Sequence, residues 1–324
     1  MKRLVCVLLI VFSMVFMSSP SKAMSVMGNK KAIVLASFGT TYVQALKDLL
    51  NIQRQVQKAF PHTKVCLAFT SNIIRKIWHK RQHNPKYTRN REIPKEILYV
   101  KGPLATIADL QDEGYRTIVV QPTHIYAGEE YMDLCSYVAG LNAIKTIKKK
   151  YMPFIKLVIG RPLLGKWGPR YPYREDIEKA AKAVAGDVKL AMKKHAALVY
   201  MGHGNEYFST GAYIELQQTM RRLYPKVKVF VGTVEGFPSL EDVVHALLHS
   251  GIKRVVLKPF MDVAGDHARN DMAGSGPDSW KSVLESKGIK VYPVIKGLGS
   301  NDNIARIFVQ HIKDVARDNH ISLR

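Results

Sequence analysis

Eight short apolar runs punctuate the chain, near residues 32–37, 64–69, 117–121, 155–159, 196–201, 227–232, 254–258 and 290–294. They are apolar almost continuously, not at every second position, which is the pattern of parallel strands buried on both faces. Longer stretches with apolar residues at helical spacing separate them. From Tyr42 to Phe60, Leu46, Leu49, Leu50, Val56 and Phe60 share one face, Thr40 or Thr41 can cap the start, and Pro61 ends it. A counterpart from Ala212 to Tyr224 stops at Pro225, and the stretch from Asn303 to Arg317 shows Ile304, Ile307, Phe308, Ile312 and Val315 at helical spacing. This alternation predicts parallel sheets joined by right-handed crossovers.

The pattern occurs twice. Ala32-Ile33-Val34-Leu35 falls on Ala196-Ala197-Leu198-Val199 at an offset of 164, as do Phe60-Pro61 on Tyr224-Pro225 and Lys64-Val65 on Lys228-Val229. Gly114 to Pro122 falls on Gly251 to Pro259 at an offset of 137, so the first half holds 27 additional residues between Asn72 and Gly102. The predicted fold class is therefore α/β: two similar subdomains, each a four-stranded parallel sheet flanked by helices, with a cleft between them. The boundary is placed near Gly186–Lys194, giving subdomains over 24–190 and 191–324, the first with an insertion over about 73–101.

Three strands of the second half end in glycine-flanked polar residues: Met201-Gly202-His203-Gly204, Val234-Glu235-Gly236 and Gly265-Asp266-His267. Open α/β sheets bind ligands at the carboxyl ends of their strands, so His203, Glu235 and His267 are expected at one sheet edge. In the repeat, His203 falls on Gly39, Glu235 on Ser71 and His267 on Glu130. A purely structural requirement would recur in both halves; the asymmetry points to one chemical site on the second. Two imidazoles and a carboxylate suit a borderline divalent cation, with coordination positions left open.

Thr123-His124 with Glu129-Glu130 lies at a first-half strand end and offers either substrate contacts or loop-shaping hydrogen bonds. Asp262, Asp266, Arg269, Asn270 and Asp271 surround His267 and could set its tautomer. Ser37-Phe38-Gly39-Thr40-Thr41 lacks the P-loop lysine and the G-x-G-x-x-G spacing, so no nucleotide is expected. The insertion begins Ile73-Ile74-Arg75-Lys76-Ile77-Trp78. It reads either as a lid presenting cations and the flat Trp78 face, or as an amphipathic surface helix packing Ile73, Ile77 and Trp78.

Charge and leader narrow the partners. Lys2 and Arg3, the apolar run Leu4–Met17 and Ser21-Lys22-Ala23 form a secretory signal peptide over 1–23, which predicts a periplasmic protein with no membrane span after processing. The leader holds three cations and no acid, so the remainder carries +20 of the formal +23. Such charge attracts polyanions, and export argues against nucleic acid. Two cysteines remain, Cys66 and Cys135, with no C-x-x-C pair, which speaks against a cysteine-built metal site.

Taken together, Met201-Gly202-His203-Gly204, Glu235-Gly236-Phe237-Pro238, the run from Lys258 to Met272, Gln121-Pro122-Thr123-His124 and Gly128-Glu129-Glu130-Tyr131 resemble the anaerobic (class II) sirohydrochlorin cobalt chelatases, which are related to ferrochelatases. The resemblance covers roughly residues 32 to 320. It implies insertion of Co²⁺, with Fe²⁺ as the other metal to consider, into the tetrapyrrole sirohydrochlorin. It implies that His203, His267 and Glu235 hold the metal, that the ring lies between the halves, and that His203 is the first choice of proton acceptor. Arg54, Arg75 and Lys76 are expected to meet the ring carboxylates. The leader sets this chain apart from cytoplasmic members and keeps a second reading open, a periplasmic metal or haem carrier. Homo-oligomerisation also stays open.

Overall fold

Each apolar run forms a strand in the computed structural model, which describes residues 29–207 and 210–324; the predicted leader lies outside them. The first half runs β1 (Lys30–Ser37), α1 (Val43–Ala59), β2 (Lys64–Phe69), α2 (Asn72–Arg81), α3 (Pro85–Thr88), α4 (Lys95–Leu98), α5 (Pro103–Asp112), β3 (Tyr115–Pro122), α6 (Glu129–Asn142) and β4 (Lys156–Ile159). Helices α7 (Tyr173–Ala183) and α8 (Ala185–Lys193) lead across. The second half runs β5 (Ala197–Gly204), α9 (Gly211–Leu223), β6 (Val229–Glu235), α10 (Leu240–His249), β7 (Arg254–Pro259), α11 (Trp280–Ser286), β8 (Lys290–Pro293) and α12 (Asp302–Asp318). The sheets have the same all-parallel order, β2-β1-β3-β4 and β6-β5-β7-β8. No helix among the described residues is long and apolar enough to cross a membrane.

Strand residues divide at period two between cores. Ile33 and Leu35 of β1 join Leu198 and Tyr200 of β5 in a large core shared by both halves. Their neighbours Ala32, Val34 and Ala36 face α5 and α6 on one outer side, while Ala197, Val199 and Met201 face α10 and α11 on the other. The last helix, which follows the second sheet in sequence, packs against α1 and β3 of the first.

The pairing corrects the repeat register by one residue. Ser37 pairs with Phe69 where Gly202 pairs with Thr233, and Ala36 pairs with Pro122 where Met201 pairs with Pro259. The strands β1 and β5 are thus equivalent at an offset of 165, and His203 corresponds to Phe38, not Gly39. Gly39 corresponds instead to Gly204, and both have positive φ, +95° and +76°. The ungapped match missed this because the slip occurs in the loop between strand and helix, where no core side chain marks the register.

Buried charges stitch the halves. Asp262, after β7, accepts the hydroxyls of Ser37 and Thr123, both at 2.8 Å. Asp48 of α1 accepts the backbone N–H of Ala264 and Gly297 at 3.2 Å. Arg161, beyond β4, donates to Asp176 of α7 at 2.5 Å and Asp314 of α12 at 2.9 Å, and all three side chains are buried. Burial alone would raise the Asp176 pKa, but hydrogen bonds from His311 and Arg161 outweigh it and hold the carboxyl well below its usual range. Replacing Arg161 by Met removes the one buried cation that joins the two carboxylates and leaves Asp176 and Asp314 only the outlying cations Lys179 and Arg317. The expected cost is about 3–5 kcal/mol of stability, measured as a lower urea midpoint with an unchanged slope.

Candidate functional site

The carboxyl ends of β1, β3, β5, β6 and β7 converge on one cavity of about 530 Å³ between the halves, lined among others by Phe38, His124, Glu130, His203, Glu235 and His267. The structure brings the three expected residues to it. The His203 and His267 rings meet edge to face with centroids 4.8 Å apart. A Glu235 carboxylate oxygen lies 3.8 Å from His203 Nδ1.

Local sequence explains why His203 stands there. A Cβ on Gly202 would lie 2.5 Å from the Tyr213 ring, and one on Gly204 would lie 1.9 Å from the Glu235 carbonyl oxygen. Only glycine on both sides lets the end of β5 sit between Tyr213 and the end of β6. His267 opens an irregular π turn over Ala268–Met272, which places Asp271 beneath its ring.

These contacts fix both tautomers. His203 Nδ1 lies 2.8 Å from the Gly204 carbonyl, which can only accept, so Nδ1 carries the proton. His267 Nδ1 lies 2.5 Å from Asp271 Oδ2 and donates to that carboxylate. Each neutral ring therefore keeps its lone pair on Nε2, the arrangement that orients imidazole as a metal ligand. Glu235 stands on the Nδ1 side of His203, and among the described residues no three His, Cys, Asp or Glu side chains are drawn together as a closed ligand set. The Glu235 side chain is 44% exposed.

The opposite wall comes from the first half. His124 turns both ring nitrogens into protein, where neither finds a partner among the described residues, and burial pushes its pKa down to about 4. Burial also raises the Glu130 carboxyl, opposed first by the Thr70 hydroxyl and least by the nearby His203 imidazole. Burial pushes the Tyr126 phenol up to about 12, and its hydroxyl accepts a hydrogen bond from Asn205 across the cavity. Tyr42 Oη donates to Asp266 at 2.7 Å. Tyr42 and Phe38 were not singled out from the sequence; their signal was position, at the carboxyl edge of β1 beside the loop that matches the His203 segment.

Several expected contacts do not form. Trp78 is fully buried, and its indole N–H donates to the Thr40 carbonyl at 2.8 Å, so it fastens α2 to the β1 loop and presents no face to the cavity. Ile73, Ile74 and Ile77 line the cavity instead. The Arg75 guanidinium is spent on the Phe69 and Thr70 carbonyls and the Asn72 side chain. Arg54 donates to Asn51 on α1, and neither Arg54 nor Lys76 lines the cavity. No Lys or Arg is among the lining residues, which include the carboxylates Glu129, Glu130, Glu235, Asp262 and Asp266.

Two parallel α/β halves with a histidine pair on one wall of the cleft have the architecture of the chelatases. The sirohydrochlorin chelatase SirB from Bacillus subtilis subspecies spizizenii, in complex with cobalt, shares the fold with a TM-score of 0.52 at 12% identity, over 90% of this chain and 97% of that one. Residues 31–317 match the family model described as cobalt chelatase (CbiK), and the chain belongs to that family. It is similar to the sirohydrochlorin cobaltochelatase CbiKC of Nitratidesulfovibrio vulgaris strain Hildenborough, 31% identical over 87% of this chain and 89% of that protein. It is also similar to the sirohydrochlorin cobaltochelatase of Salmonella typhimurium strain LT2, 30% identical over 87% and 95% respectively.

Substituting Asp271→Asn keeps the shape but removes the charge behind His267. Cobalt affinity, read by isothermal titration, is expected to fall about 10–100-fold. His124 gives an acid-stability prediction. Its folded pKa is depressed, so the unfolded chain binds the extra proton, and stability is lost as pH falls from about 6.5 towards 4. The loss is on the order of 3 kcal/mol, and His124→Leu should flatten that part of the denaturation profile.

Proposed function

We propose that this protein inserts Co²⁺ into sirohydrochlorin, the activity for which its curated relatives are named. The observation that carries the reading is the meeting of His203 and His267, rings 4.8 Å apart with both Nε2 lone pairs available, inside the cavity between the halves. The substrate cation is held by His203, His267 and Glu235, the last after rotating towards it. Ile73, Ile74 and Ile77 supply an apolar wall for the macrocycle, whose carboxylates stay outside the acid-lined cavity. As the cation enters the ring, two pyrrole N–H protons must leave. His203 Nε2, released as the cation moves into the ring, accepts one and passes it to solvent, the other leaves to water, and the net release of two protons makes the reaction favour higher pH. Fe²⁺ fits the same ligand types and is a competing metal. The leader supports placing the reaction in the periplasm, which cell fractionation tests directly.

The reaction is followed by absorbance with Co²⁺ and, in parallel, Fe²⁺ under multiple-turnover conditions. The intact protein should convert many equivalents of sirohydrochlorin, and His203→Ala should slow it by at least about a hundredfold. Near-normal turnover of that variant removes His203 from the mechanism. A spectral change that stops at one equivalent replaces the enzyme by a carrier.

A further inference from the structure

The opposite edge of the first sheet carries a different chemistry. Between α6 and β4 the chain reads Ile144-Lys145-Thr146-Ile147-Lys148-Lys149-Lys150-Tyr151. Ile147 is fully exposed, and Ile144, Tyr151 and Ile155 are more than two-fifths exposed. Lys145, Lys148, Lys149 and Lys150 are all exposed, and none of them is in an ion pair among the described residues. No Asp or Glu occurs anywhere from Leu134 to Arg174, a stretch holding nine Lys and Arg.

The loop is presented on a firm base. Ile155 N–H donates to the Arg116 carbonyl at 2.7 Å, Arg116 donates to the Met152 carbonyl at 2.6 Å, and Phe154 is buried beneath. A wholly exposed isoleucine between lysines gains nothing from water, whereas a lipid interface accepts both groups. Position strengthens the point. Every strand is parallel, so the amino ends of β4 and β1 share one edge, with β3 between them and a separation of roughly 10 Å. Lys30 and Lys31 begin β1 there.

We infer that this edge docks on an anionic lipid surface, with Ile147 and Tyr151 entering the headgroup layer and the four lysines meeting phosphates. The cavity, at the carboxyl ends of the same strands, then opens away from the membrane. The inference is independent of the chelatase reading, because no residue of the cavity takes part.

The test is co-sedimentation of the full chain with phosphatidylglycerol–phosphatidylcholine vesicles and with phosphatidylcholine alone, across a salt series. The comparison protein is the full-length variant K145Q/K148Q/K149Q/K150Q, with Ile147→Ser as a second variant and circular dichroism to check folding. Salt-sensitive binding to the anionic vesicles, lost about a thousandfold in the quadruple variant and weakened by Ile147→Ser, supports the inference. Unchanged binding in a folded quadruple variant assigns adsorption to the leader or to general charge and overturns it. Equal binding to phosphatidylcholine alone, or tighter lysine-dependent binding to duplex DNA than to vesicles, overturns it too.

Discussion

The site depends on one close approach, the end of β5 against the end of β6. With Gly204 at φ +76°, the backbone turns where a side chain would collide with the Glu235 carbonyl. That turn places the Gly204 carbonyl under His203 Nδ1, which fixes the proton on that nitrogen and leaves Nε2 bare. Strand pairing, tautomer and ligand availability thus follow from a single residue lacking a Cβ. Gly39 makes the equivalent turn in the first half, where a Cβ would meet the Phe69 ring, yet the residue before it is Phe38. The repeat supplies the same backbone device twice and the chemistry once.

A cavity between two sheets is only as well defined as the joint between them. Here the joint is polar and buried. Asp262 reaches back to Ser37 and Thr123, and Asp48 reaches forward to Ala264 and Gly297. Both carboxyls are raised chiefly by burial, which the hydrogen bonds they accept offset only in part, so each is tolerated only while the halves stay in register. The α12 helix adds an apolar counterpart, placing Ile304, Phe308 and Ile312 in the core common to both sheets. The cavity floor is therefore held by directional bonds, while its upper walls are tied by Tyr42 to Asp266 and Tyr126 to Asn205, nearer solvent.

Much of this was legible in the sequence because parallel strands buried on both faces leave nearly continuous apolar runs, and because a duplicated unit can be compared with itself. The placing of His203 and Glu235 at strand ends needed no more than that; His267, eight residues past the end of β7, reaches the same cavity through the loop that follows the strand. What escaped was decided by three-dimensional competition. The α2 sequence is amphipathic whichever neighbour it chooses, so nothing local told whether Trp78 or the isoleucines would face the cavity. Arg75 looked like a free cation until the end of β2 exposed two carbonyls within its reach. The isolation of His124 is a property of the groups absent around it, which a sequence does not display.

The distribution of charge gives the arrangement its sense. A metal cation and a polycarboxylate ring make opposite electrostatic demands, and no single patch serves both. Among its described residues, this strongly basic chain lines its cavity with carboxylates and imidazoles and no Lys or Arg. Its cations are gathered elsewhere, including the 73–101 insertion, which has nine Lys and Arg against two Glu, and the lysine loop at the amino edge. Low-dielectric walls focus the acidic field onto a divalent ion inside, while the surrounding surface attracts anions at longer range. Because all strands of a half point the same way, the lysine loop at the amino edge is separated from the cavity along the strand axis, while the cations of the insertion stand beside the cavity, at the carboxyl end of β2.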